Sequence, residues 1–103
     1  MATPEFNFFS SFDRVIITGG SSGIGTALLR RLRTVIPDAA YCNLSRSEPE
    51  ISDLKDRLHH VSCDLADPAS VASGIEAGRS WLRETDKGGK ILQINNSGFG
   101  AYG

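Results

Sequence analysis

A chain of 103 residues holds at most one domain and buries only about two-thirds of the surface its unfolded form exposes, so its core is small. A net charge of -1, with 22% charged and 40% hydrophobic residues, gives no electrostatic pull toward nucleic acid or an anionic membrane. No apolar run approaches the ~20 residues that span a bilayer, and MATPEFNFFSSFD carries no basic segment ahead of Phe6, Phe8 and Phe9, so it does not read as a secretory signal and the expected address is the cytoplasm.

Strand and helix alternate along the chain, without repeats or a linker rich in Gly, Pro or Ser. RVIIT, Arg14 to Thr18, is a β-branched run that breaks into glycines, as a buried strand feeding a loop would. From Ile24, the residues Leu28, Leu29, Leu32, Val35 and Ile36 fall on one helical face, with Arg30, Arg31 and Arg33 largely on the other, and the helix ends before Pro37. AAYCNL, Ala39 to Leu44, is a second strand. Ile51, Leu54 and Leu58 suggest a short helix between Pro49 and Leu58. HHVSC is a third strand. Asp67 before Pro68 reads as an N-cap followed by a first-turn proline, and the helix it opens carries Val71, Ile75, Gly78 and Leu82 on one face and ends near Glu84. Gly74 and Gly78 each cost that helix up to about 1 kcal/mol relative to Ala, so packing must hold it. KILQIN is the fourth strand. Cys42 and Cys63 lie within predicted strands and lack metal-ligand spacing, which makes them buried free thiols.

This alternation implies an α/β fold: a doubly wound parallel sheet with right-handed crossovers, helices on both faces and strand order 3-2-1-4. The division expected is one partial domain over 1–103, with 1–13 an N-terminal extension and 14–103 the alternating unit.

TGGSSGIG, Thr18 to Gly25, carries the chemistry. A strand ends, Gly19 permits a tight turn, Gly23 permits close approach of a ligand, and Gly25 lets the new helix pack near the strand. The first turn of that helix offers N–H groups and the positive end of its dipole to a phosphate. No Lys followed by Ser or Thr is present, which argues against a magnesium-nucleotide loop.

TGxxxGIG opening a helix, DL after the third strand (Asp64, Leu65) and NNSG ending the fourth (Asn95, Asn96, Ser97, Gly98) resemble the short-chain dehydrogenase/reductase family, which usually has Ala where Ser97 stands. The resemblance extends from about Arg14 to the end. It implies a truncated Rossmann-type sheet in which Gly19, Ser21, Ser22, Gly23, Ile24 and Gly25 cradle the pyrophosphate of a nicotinamide dinucleotide. Asp64 and Leu65 would flank the adenine, and Asn95, Asn96 and Gly98 the ribose on the nicotinamide side, with Asn95 also tying neighbouring strands. A turn-forming Asp64 and a strand-ending pair of Asn residues are the plainer alternatives.

The end of the second strand reads NLSR. An acidic residue there would bond a ribose 2′-OH, whereas Arg46, with the Ser45 hydroxyl, suits the 2′-phosphate, so NADP(H) is favoured over NAD(H). Glu48, close by, is the competing acidic ligand, and Ser21 and Ser22 bring no basic residue to the glycine loop. His59 and His60 point to opposite faces of a strand and have no third ligand, so no metal site is expected. Trp81 is expected to cover part of the third helix's contact region.

The family's Tyr-x-x-x-Lys pair is absent: Tyr41 is followed four residues later by Ser45, and Tyr102 only by Gly103. A phenol with a pKa near ~10 and no neighbouring cation transfers protons poorly at neutral pH. No catalytic residue is assigned. The expectation is the dinucleotide-binding half of an NAD(P)(H)-dependent oxidoreductase, cut before its catalytic half, which when completed would move hydride between NADP(H) and a small-molecule carbonyl or alcohol. A non-catalytic dinucleotide-binding or redox-sensing module is the alternative, and a fragment associating through an open sheet edge is another.

Overall fold

The computed structural model describes residues 11–21, 23–49 and 57–96. Its elements run β1 (Phe12–Thr18), α1 (Gly23–Val35), β2 (Ala40–Ser45), β3 (Leu58–Ser62), α2 (Pro68–Glu84) and β4 (Lys90–Asn95). β1 begins two residues ahead of the expected boundary. The strands form one sheet in the order β3-β2-β1-β4, the arrangement the alternation implied. Every neighbouring pair is parallel, with Thr18 opposite both Leu44 and Asn95 and Ser45 opposite Ser62, so the C-terminal ends of all four strands share one edge.

Period-two alternation divides the core in two. Val15, Ile17 and Tyr41 face Leu29, Leu32 and Ile36 of α1 and its exit. Cys42, Leu44, Val61 and Cys63 face Trp81 of α2, with Ile16 and Leu82 packed against them. Arg30, Arg31 and Arg33 are exposed on α1, as its periodicity required. The Asp67 carboxylate accepts from the Ala69 N–H at 3.2 Å, with Pro68 in the first turn, so α2 starts as read. It stops where the Thr85 hydroxyl and N–H both reach the Trp81 carbonyl, at 2.7 and 3.0 Å.

Ile75 shares a face of α2 with Gly78 and Leu82, as the spacing required, and stays 53% exposed along that face. The helix meets the sheet through Gly74, where a Cβ would lie 2.8 Å from Cys63 Sγ. Two readings change. Leu58, expected to close a helix over 49–58, is the first residue of β3 and pairs with Tyr41; residues 50–56 lie outside the described residues. Cys63 follows β3 instead of ending it. It and Cys42 are free, buried thiols, and burial pushes Cys42 up to about 12.

At the edge away from the strand C-termini, Arg14 is buried. Its guanidinium donates to the Leu82 carbonyl at 2.8 Å and the Gly89 carbonyl at 3.5 Å, and Asp13 lies 3.4 Å from Nε. Leu82 sits in the last turn of α2, whose carbonyls have no partner inside the helix, so Arg14 caps α2 from the sheet.

Candidate functional site

The strand C-termini converge on the glycine-rich turn. After Thr18 the chain bends at Gly19 with φ 70°, a left-handed conformation that favours glycine. The turn is fastened from three elements. From β2, the Leu44 carbonyl accepts the Gly19 N–H at 3.0 Å and Asn43 Oδ1 accepts the Gly20 N–H at 2.7 Å. From α1, the Thr26 hydroxyl donates to the Gly20 carbonyl at 2.9 Å. Beyond β4, Asn96 donates from Nδ2 to the Gly19 carbonyl at 2.9 Å, while its own N–H reaches the Thr18 hydroxyl at 3.1 Å.

Space is distributed unevenly over this turn. A Cβ on Gly25 would overlap the Gly19 carbonyl oxygen and lie 2.8 Å from both Gly20 Cα and Asn96 Nδ2, so α1 can start this close to β1 only with glycine there. A Cβ on Gly23 would meet nothing within 4 Å, and Ile24 beside it is 72% exposed. The first turn of α1 contains no acidic residue to compete with an incoming anion. The N-terminus of α1 thus lies at the edge shared by the strand C-termini, beside the point between β1 and β4 where the strand order reverses, the place where such sheets take their ligands.

The remaining candidates follow the strands at that same edge. Ser21 is half-buried in the turn, and Ser22 and Gly98 lie outside the described residues. Ser45 is buried; its hydroxyl accepts from Asn43 Nδ2 at 2.8 Å and gives its one proton to the Ser47 carbonyl at 2.6 Å, which commits the donor that the sequence reading assigned to a phosphate. Arg46 and Glu48 are both exposed. Asp64 forms the turn that its plainer reading required, with Oδ1 accepting from the Ala66 N–H at 3.0 Å and its own N–H held by Ser70 Oγ at 2.8 Å. Leu65 packs against the cluster beneath α2. Asn95 is exposed and its side chain accepts from Gln93 along the same strand, while Asn96 ties the end of β4 to the glycine turn.

Gly20, Thr26 and Asn43 belong to the site and were not singled out in the sequence. The available signal was Asn43, a polar residue and poor strand former in the middle of AYCNLS. His60 turns toward it while His59 is exposed on the other face. Tyr41 serves the fold: its hydroxyl donates to the Ile36 carbonyl at 2.9 Å near the start of β2, at the other end of the strand from the glycine turn, and burial pushes it up to about 12 against the opposing charges of Arg57 and Arg33. An apolar groove of about 410 Å³ also runs between α2 and β4, lined in part by Ile16, Ile75, Gly78, Leu82, Ile91 and Ile94. Among the described residues no helix is long and apolar enough to cross a membrane.

No family model matches the chain. The short-chain dehydrogenase/reductase AacuF of Aspergillus aculeatus is 37% identical over 87 residues, which is 80% of this chain and 31% of that protein. A crystal structure of a short-chain dehydrogenase/reductase from Burkholderia vietnamiensis superposes with a TM-score of 0.67 at 32% identity, covering 87% of this chain and 41% of that one. The NADPH-dependent 3-quinuclidinone reductase of Rhodotorula rubra superposes with a TM-score of 0.58 at 26% identity, covering 81% of this chain and 36% of that one. The chain thus spans about a third of the length of the curated relatives it matches.

Proposed function

Since most of this chain is related in sequence and fold to the short-chain dehydrogenases/reductases, we propose that it is the dinucleotide-binding half of an NAD(P)(H)-dependent oxidoreductase, one partial domain over 14–103. The carrying observation is the contrast within the glycine turn: Gly25 is closed off by the backbone of Gly19 and Gly20 and the side chain of Asn96, while Gly23 faces open space at the start of α1. That is the shape needed for a diphosphate to rest against the helix N-terminus without a lysine.

Gly19, Ser21, Ser22, Gly23, Ile24 and Gly25 would hold the pyrophosphate. The second carboxylate oxygen of Asp64 would accept from the adenine amino group, its first being used in the turn, and Leu65 would border the ring. Asn95, Asn96 and Gly98 would border the nicotinamide ribose. Once bound, the dinucleotide supplies or takes hydride, with a carbonyl or alcohol as the other party. No described side chain is placed to move the accompanying proton; Tyr41 is buried and committed to Ile36.

Arg46 supports NADP(H) over NAD(H), since an exposed guanidinium after β2 suits a 2′-phosphate. The test is titration of the chain with NADPH and NADH. NADPH is expected to bind saturably and more tightly, with Arg46→Ala weakening NADPH at least tenfold and NADH little. NADH binding as tightly as NADPH would overturn the preference, and no saturable binding of either would overturn the assignment.

A further inference from the structure

Asn43 is completely buried, and its side chain makes three hydrogen bonds, two of them to segments of the candidate site. The Gly20 N–H can only donate, so the oxygen of the amide must face it, at 2.7 Å. The NH2 group then faces Ser45 Oγ at 2.8 Å and His60 Nδ1 at 3.1 Å, so both of those atoms accept. Ser45 passes its own proton to the Ser47 carbonyl at 2.6 Å, across Arg46. His60 accordingly carries its proton on Nε2. One side chain therefore joins the turn after β1, the end of β2 and the strand β3.

We propose that Asn43 is a positioning residue for the dinucleotide, fixing the glycine turn that would take the diphosphate and the Ser45–Ser47 segment that would take the 2′-substituted ribose in a single geometry. The inference rests on the dinucleotide reading above and adds to it a specific coupling between the two halves of the site. Gly20 and Asn43 are fitted to one another: a Cβ on Gly20 would overlap Asn43 Oδ1 and lie 2.9 Å from Cγ. An aspartate at 43 would keep the acceptor for Gly20 but lose the donors that Ser45 and the neutral His60 require. Burial raises the cost of any of these groups losing its partner.

The test is a set of NADPH titrations on the full chain, with thermal melts in parallel, for wild type, Asn43→Ala, Gly20→Ala, the double variant and His60→Phe. Asn43→Ala is expected to weaken NADPH at least tenfold in protein that is still folded at the titration temperature. Gly20→Ala should weaken it comparably by displacing the amide, and the double variant should bind about as well as either single one, because both break the same link. His60→Phe removes only the acceptor at the edge of the network and is expected to weaken NADPH about threefold, which keeps the test decisive if Asn43→Ala does not fold. Affinities within twofold of wild type in His60→Phe and in whichever other variants fold, with only the melting temperature lowered, would overturn the proposal by reducing Asn43 to a core residue. Failure of wild type to bind NADPH would overturn the dinucleotide reading itself, so the two failures are distinct.

Discussion

Replacing Gly25 by Ala puts a methyl group where the structure has none to spare. The new Cβ would overlap the Gly19 carbonyl oxygen and stand 2.8 Å from Gly20 Cα and Asn96 Nδ2, whereas carbon atoms rest about 3.5–4.0 Å apart. Two of the three neighbours are backbone, so the start of α1 has to move off β1. Overpacking costs about 1–3 kcal/mol, and this site belongs in the upper half of that range because backbone yields least. Losing the Asn96 bond to the Gly19 carbonyl adds about 1 kcal/mol, which cancels the gain of up to about 1 kcal/mol in helix propensity. The net loss is about 2–3 kcal/mol, which at urea slopes of about 1–3 kcal/mol/M lowers the unfolding midpoint by about 0.7–3 M. Gly23→Ala is the control: its Cβ meets nothing, so stability should stay within about 0.5 kcal/mol of wild type while NADPH binding weakens at least tenfold. Urea unfolding followed by circular dichroism measures the first effect and cofactor titration the second. Wild-type stability in Gly25→Ala, or wild-type affinity in Gly23→Ala, would refute the division of the turn into a closed and an open glycine.

The two buried glycines of α2 should behave in opposite ways in the same unfolding assay. Gly74→Ala drives a methyl against Cys63 Sγ and should cost about 1–3 kcal/mol, whereas Gly78→Ala meets only Ile16 Cδ1 at 3.7 Å and should gain about 0.5–1 kcal/mol. Arg14→Met leaves the Leu82 and Gly89 carbonyls without their donor and should cost about 2–4 kcal/mol, nearly all of it from those bonds, since Asp86 at 3.6 Å is well exposed. Tyr41 and Cys42 are raised from 10.0 and 9.0 to about 12, so the unfolded chain releases these protons first. Stability is then complete below about pH 9 and declines between pH 9 and 12, and melts over that range should show a shallower decline in Tyr41→Phe.

Where local pattern dictated local structure, the sequence was readable. β-branched RVIIT, the heptad-like leucines of α1 and the Asp67-Pro68 start of α2 each need only neighbours in the chain, and the strand order followed from their alternation. The glycine turn was also readable, because its conformation restricts residue type at Gly19 and Gly25. What stayed hidden depends on partners far apart in sequence. Asn43 meets Gly20 across 23 residues and Arg14 meets Leu82 across 68, and neither side chain advertises its partner. The tie made by Asn96 follows from its place: Asn95 still belongs to β4, whereas Asn96 has left the strand and turns back to Thr18 and Gly19.

The most direct test of the central claim locates the ligand by residue: amide chemical-shift mapping of the isotopically labelled chain during a titration with NADPH. Saturating shifts at Gly19, Ser21, Gly23 and Ile24, with further shifts at Arg46, Asp64 and Asn96, are the predicted result. Saturable shifts confined to the α2–β4 groove around Ile75 and Ile91, or no saturable shifts, would contradict it.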